Sequence, residues 1–233
     1  MARSALALLS GGLDSTVALW WAREQDYKSL AALAFTYGSR EEDVSVQCSA
    51  NIAAKAGIPI EVIELSALRR IAAGSSALVD REKVLPRGLA VPDEEGTTAV
   101  WVPARNLVML STAAAYAEAK GEDCDLIVGF DEEEARTFPD NSRRFVDNVN
   151  KALEDAVFRR TVRVVAPLID MSKREIVSLG ARIGAPMELS SSCYQPRGFR
   201  GDRPVHCGTC QSCVLRRQGF LDAGVPDPTI YES

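Results

Sequence analysis

Two sets of residues in this chain are spaced for chemistry. The first is Ser10-Gly11-Gly12-Leu13-Asp14-Ser15-Thr16, which follows directly on Leu9 and the apolar residues before it. An apolar run, two glycines and an apolar-periodic stretch predict a strand, a tight loop and a helix. Such a loop aims backbone N–H groups and the positive end of a helix dipole at a point where an anion can sit. Gly11 and Gly12 let the main chain come close, because a Cβ at either position would hold a phosphate off. Ser10, Ser15 and Thr16 add hydroxyl donors, and Asp14 is placed either to cap the helix or to help hold a metal ion. No lysine closes the loop, so it is not the GxxxxGK[ST] P-loop, whose lysine reaches the terminal phosphates. Hydroxyls instead of lysine suit a pyrophosphate that leaves as a unit. Taken alone, the loop also admits an ordinary turn with an N-cap.

The second set is Cys193, Cys207, Cys210 and Cys213, four of the six cysteines in the chain. In a reducing compartment such a cluster reads as metal ligation rather than disulfides. Four soft sulfur ligands from a loop and a knuckle make the closed tetrahedral site that structural zinc prefers. An iron–sulfur cluster is the rival, although the proline that follows ferredoxin-type cysteine runs is absent. Cys48 and Cys124 lie in apolar-leaning stretches and read as small buried hydrophobes. His206, the only histidine, reads as a surface residue, since four cysteines already fill the tetrahedron. With no other histidine in the chain, the sequence argues against a Ser-His-Asp triad and against a histidine metal site.

Two shorter stretches add to these. In Val102-Pro103-Ala104-Arg105-Asn106, an arginine in the first turn of a helix opposes the helix dipole, which argues for anion binding. Phe138-Pro139-Asp140-Asn141 reads as a turn just beyond a strand end, where substrates bind in open sheets. The acidic run from Asp131 to Glu134 reads as a solvated helix start.

The elements that must position these residues alternate. Strands are predicted at 5–9, 29–35, 59–65, 125–129 and 162–166, and helices at 15–24, 41–56, 102–120, 143–157 and 172–183. Ser172 and Glu175 form a capping box for the last helix. The pattern predicts an α/β, doubly wound, mostly parallel sheet, with a small cysteine-bearing C-terminal segment. Residues 69–100 break any period, at Gly74-Ser75-Ser76, Pro86-Arg87-Gly88 and Pro92-Asp93-Glu94-Glu95-Gly96, and read as a long functional or mobile connection. We divide the chain into an α/β domain at 1–185 and a zinc-binding segment at 186–233.

The 233 residues are 46% hydrophobic and 25% charged, the balance of an ordinary globular protein. A net charge of −5 argues against a broad nucleic-acid-binding face. No apolar run approaches the roughly 18 residues of a membrane helix, and the N-terminus enters strand pattern without a signal-peptide arrangement. A cytoplasmic protein with no membrane contact is expected.

Together the motifs resemble those of the N-type ATP pyrophosphatases, which cleave ATP to AMP and pyrophosphate. Within them the chain is similar to the 7-cyano-7-deazaguanine synthase family of queuosine and archaeosine biosynthesis. The matching residues are Ser10 to Ser15, Phe35-Thr36-Tyr37-Gly38, Val102 to Asn106, Phe138-Pro139-Asp140 and Ser192-Cys193-Tyr194. The Cys207-Gly208-Thr209-Cys210-Gln211-Ser212-Cys213 knuckle, Arg216 and the ending from Gly224 to Tyr231 complete the match. After Tyr37-Gly38 the family usually has Gln-Arg-His, where this chain has Ser39-Arg40-Glu41. Phe138-Pro139-Asp140-Asn141-Ser142 looks more like the archaeal-type branch, and the gap from Cys193 to Cys207 is longer than usual.

The resemblance implies an adenine-nucleotide alpha-hydrolase-like, Rossmann-like fold and an ATP-dependent ligase. Its substrates would be 7-carboxy-7-deazaguanine, ammonia and ATP, with magnesium on the phosphates and structural zinc on the four cysteines. It assigns Leu9 to Thr16 to ATP, and Asp14, Ser15 and Arg105 to catalysis. Tyr37, Arg105, Asn106, Phe138, Pro139 and Asp140 fall to the substrate. No glutaminase segment is read here, so ammonia is expected free or from a partner, and a homodimer is the candidate assembly. The alternatives are another ATP pyrophosphatase, such as a tRNA thiolase or an ammonia-dependent synthetase, and a non-enzymatic zinc-knuckle nucleic-acid-binding module. The module would leave the glycine loop unexplained.

Overall fold

In a computed structural model that describes residues 3–88 and 99–232, the strand before the glycine loop lies at the centre of the sheet. β1 (Ser4–Leu8) is built from small and apolar residues that alternate between two cores. Ala5 and Ala7 join one core, and Leu6 joins the other. This is the signature of a strand buried on both faces. β2 (Ser29–Thr36), β3 (Ile60–Glu64), β4 (Cys124–Ile127) and β5 (Val162–Val165) pair in parallel in the order β3-β2-β1-β4-β5. Among the described residues this five-stranded sheet is the main one. The doubly wound parallel prediction is borne out.

Eight α-helices among the described residues complete the fold: α1 (Leu13–Arg23), α2 (Glu42–Ala56), α3 (Ser66–Ala72), α4 (Arg105–Lys120), α5 (Glu132–Thr137), α6 (Arg143–Ala156), α7 (Lys173–Arg182) and α8 (Gln211–Ala223). Leu19 of α1, Ile52 of α2, Ile176 of α7 and Phe220 of α8 share the core on one face of the sheet. Leu110 of α4 and Val146 of α6 fill the core on the other. Strand order reverses between β1 and β4, and at such a switch point a crevice opens at the carboxyl ends of the strands. The backbone there is tight. A Cβ on Gly129, just after β4, would lie 2.6 Å from the Ser15 amide nitrogen, so only glycine lets β4 meet the first turn of α1.

Several sequence readings shift. The helix expected from Val102 begins at Arg105, because Ala104 takes the left-handed conformation at φ 53° and breaks the chain into a turn. The segment after β3 is not simply a connection. It carries α3, and Leu68, Ala72, Ala77, Leu78 and Leu85 pack with Tyr37, Val100 and Val102 in a third apolar cluster. The Pro92 to Gly96 break lies outside the described residues. The region beyond Pro186, read as without period, contains α8 and a small sheet of β6 (Phe199–Arg200), β7 (Arg203–His206) and β8 (Ile230–Tyr231). Strands of two to four residues are too short to print a period on the sequence.

Candidate active site

A cavity of 290 Å³ opens where the ends of β1, β2 and β4 meet. Leu9, Ser10, Gly12, Asp14 and Ser15 are among the residues that line it. Gly12 is the N-cap of α1 and no side chain caps the helix, so Asp14 is free of the capping role the sequence allowed. The Ser15 hydroxyl lies 3.1 Å from both the Gly12 carbonyl and the Ser10 hydroxyl. Thr16 donates to the Gly12 carbonyl at 2.7 Å and is fully buried, while Leu13 belongs to the core. Gly11 sits at φ 76°, where a Cβ would be 2.5 Å from the Ser45 carbonyl of α2. Gly11, Leu13 and Thr16 therefore shape the loop, and its other residues face the cavity.

The lysine that the loop lacks arrives from far along the chain. Lys173 Nζ donates to Asp14 Oδ1 at 2.7 Å and to Asp131 Oδ2 at 2.8 Å. Burial works against its charge, but the carboxylates of Asp14, Asp131 and Glu134 outweigh that and hold the ammonium above the usual lysine range. Burial also raises Asp14. Lys173 pulls it back down and the neighbouring Asp131 pushes it further up. Asp131 is the cap of α5, accepting the Glu134 N–H at 2.8 Å, yet it is fully buried. The solvated-start reading of this run is corrected: its first residue points inward, into the ion pair. Oxygens of Asp14, Asp131 and Glu134 all lie within 4.8 Å of one another. Burial, with repulsion from the neighbouring carboxylates, raises both Asp14 and Glu134, the latter to about 7. Three carboxyl groups gathered around one ammonium are a donor set that suits a divalent cation held by oxygen. Sequence reasoning missed Lys173. The signal was present, because its capping box puts a cation in the first turn of α7, where the dipole disfavours it.

Also lining the cavity, Arg105 donates from Nη1 to the Tyr37 hydroxyl at 3.1 Å. Glu42 holds this loop by accepting the N–H groups of Tyr37 and Gly38. Asn106 lines the cavity and donates to the Asp140 carbonyl at 3.3 Å. Asn141, beside the predicted Phe138-Pro139-Asp140 stretch, is the residue of that turn that lines the wall. Phe138 instead stacks on Trp101, with ring centroids 5.9 Å apart. Glu41, Ser191 and Tyr194, none of them among the predicted site residues, also line the cavity.

Cys193 joins this wall to the cysteine cluster. The four sulfurs converge, with Cys207–Cys213, Cys193–Cys210 and Cys210–Cys213 separations of 3.9, 4.0 and 3.4 Å. The backbone N–H groups of Gln195 and Cys207 point at the Cys193 sulfur, each 3.3 Å away. This donor set could hold a metal ion. Pro86 and Gly88 pair with the knuckle backbone, so the predicted connection helps to cover it. Arg216, fully buried, braces the wall by donating to the Ser190 hydroxyl at 3.0 Å, the Met187 carbonyl at 2.7 Å and the Thr229 hydroxyl at 2.7 Å. That clamp ties the chain ending, through Thr229, to Ser190 and Met187. His206 is corrected from a surface residue to a buried one, edge-on to Tyr231 with centroids 5.7 Å apart. The short β7 turns it inward. Cys48 and Cys124 are buried as expected.

Comparison with known proteins agrees with this geometry. The family model described as queuosine biosynthesis protein QueC matches residues 4–224. The chain is 45% identical over 232 residues to the 7-cyano-7-deazaguanine synthase of Pyrococcus horikoshii, covering 97% of this chain and 96% of that one. It is 44% identical to the enzymes of that name from Pyrococcus furiosus (99% and 98% covered) and Methanothrix thermoacetophila (98% of each). Among solved structures, the U34-tRNA thiolase NcsA from Methanococcus maripaludis with its [4Fe-4S] cluster superposes with a TM-score of 0.50 at 15% identity. That match covers 93% of this chain and 64% of the thiolase, and it speaks to the fold alone.

Proposed function

The chain belongs to the QueC family, and from that premise we propose how its residues divide the work of a 7-cyano-7-deazaguanine synthase. The reaction turns the carboxylate of 7-carboxy-7-deazaguanine into a nitrile with ammonia and ATP. A carboxylate is a poor electrophile because its charge is delocalised. One of its oxygens attacks the α-phosphorus of ATP, and the bond to pyrophosphate breaks. Ammonia then adds to the acyl carbon, and AMP leaves with the oxygen that had been the carboxylate's. The resulting amide oxygen attacks a second ATP, and loss of a second AMP with the remaining N–H protons leaves the nitrile. Each nitrile therefore costs two ATP.

The observation that carries this reading is one cavity lined both by the glycine loop and by the Arg105–Tyr37 pair. Ser10, Gly12 and Ser15 receive the departing pyrophosphate, whose charge suits backbone amides and hydroxyls. Lys173 fixes one oxygen of Asp14 and leaves the other for a cation. Magnesium held by Asp14, Glu134 and Asp131 would neutralise phosphate charge as the bond to the α-phosphorus breaks. Arg105 balances the substrate carboxylate or the α-phosphate. Tyr37 and Asn106, backed by Phe138, Pro139 and Asp140, position the deazapurine. The Cys207–Cys213 and Cys193–Cys210 separations of 3.9 and 4.0 Å lie near the ~3.8 Å expected for thiolates around one tetrahedral zinc, and Cys210–Cys213 is closer at 3.4 Å. A four-iron cube would spread them further apart. The 186–233 segment then acts as a zinc-stabilised wall of an ATP-handling domain at 1–185.

The test is incubation with 7-carboxy-7-deazaguanine, ammonium, magnesium and ATP, with products read by mass spectrometry. The nitrile and two AMP for each nitrile are expected. Metal-replete protein that forms neither overturns the reading.

A further inference from the structure

We propose that Glu41 reads the guanine-type edge of the substrate, its two carboxylate oxygens accepting the ring N1–H and the exocyclic 2-amino group. The assignment rests on the proposed substrate and adds a specificity residue to it. Glu41 immediately precedes α2, and its side chain lines the cavity. Its Oε2 is shut off from solvent and has no hydrogen-bond partner among the described residues. A sealed, unsatisfied acceptor costs folding stability, so a native structure keeps one where a ligand completes it.

The other carboxylates of the cavity are already committed. Asp14 is bound to Lys173, and Glu134 groups with Asp14 and Asp131. Glu42 accepts the Tyr37 and Gly38 amides. Among the described carboxylates of the cavity, Glu41 alone has an oxygen that is sealed from solvent and without a hydrogen-bond partner. Burial holds its carboxyl up, to about 7, against the pull of its own backbone amide, the Ser39 hydroxyl and Arg105.

A 2-amino-6-oxo ring presents two adjacent N–H donors, and a carboxylate offers two acceptors at matching spacing. An adenine edge presents a lone pair at ring N1, which a carboxylate repels. The same residue therefore admits the deazaguanine and keeps the adenine of ATP out of its place.

The experiment measures binding by calorimetry for wild type, Glu41→Gln and Glu41→Ala. The ligands are 7-carboxy-7-deazaguanine, its analogue lacking the 2-amino group, and ATP. Wild type is expected to bind the analogue about 100-fold more weakly than the parent. Glu41→Ala should bind parent and analogue equally, both weakly, with ATP affinity within about threefold of wild type. Glu41→Gln, which keeps the shape but puts a donor against a donor, should lose the same discrimination. Discrimination that persists in either variant overturns the assignment alone. So does an equal loss of ATP affinity, which would mark a structural role. Wild type that binds no 7-carboxy-7-deazaguanine overturns the proposed function and this assignment with it.

Discussion

Asp14→Asn is expected to lower AMP release by about 10³-fold, the scale of a lost electrostatic contact to the reacting phosphates. The fold should survive it, because Lys173 and Asp131 remain as a matched pair at 2.8 Å. The cation site is what suffers, since two of its three carboxylates are then amide or already neutralised by the lysine. The stability effect has the opposite sign. Asp14 is raised above the ordinary carboxyl range, so its ionised form costs stability once the pH exceeds the unfolded carboxyl value, near 3.9. Removing that charge should raise the melting temperature at pH 7.5, and the gain should fade as the pH is lowered toward 4. Thermal melts across pH, run beside AMP assays, read both effects. A variant that keeps AMP release within tenfold of wild type would mean that Asp14 does not take part in the phosphate chemistry.

Cys210→Ser should act through the cysteine cluster in the cavity wall and fail differently. Three sulfurs cannot close a tetrahedral site, so the metal is lost with the free energy it contributes to folding. A loss of about 3–5 kcal/mol is expected, comparable with removing a structural crosslink from a small segment. Because Cys193 and Tyr194 line the cavity, activity should fall along with stability, without the pH signature of Asp14→Asn. Metal content by mass spectrometry and a melting curve decide it. A full complement of metal with an unchanged melting temperature would contradict a structural four-cysteine site.

Much of this was legible because the signals are local. Ala5 to Leu9 followed by Gly11-Gly12 states a buried strand and a tight turn within eight residues, and the sheet places them together. The cysteine spacing is equally local, and the four sulfurs do converge. The Ser172–Glu175 box appears as predicted, with both reciprocal hydrogen bonds. What escaped depends on distant residues meeting. Lys173 reaches Asp14 only because α7 packs beside α1, and no window of sequence holds both. His206 is buried by Tyr231 and by a strand of four residues, too short to show alternation. α3 was missed because its apolar positions, Leu68 and Ala72, span little more than one turn. The acidic run misled because three of its four residues do behave as a helix start, whereas Asp131 turns inward to share an ammonium.

The central claim is that the substrate carboxylate is activated by transfer of its own oxygens to AMP at the glycine loop. It is tested most directly with 7-carboxy-7-deazaguanine carrying oxygen-18 in both carboxylate positions. The account predicts that each nitrile is accompanied by two AMP, each with one oxygen-18, and that pyrophosphate carries none. Unlabelled AMP, or label found in pyrophosphate or water, would contradict it.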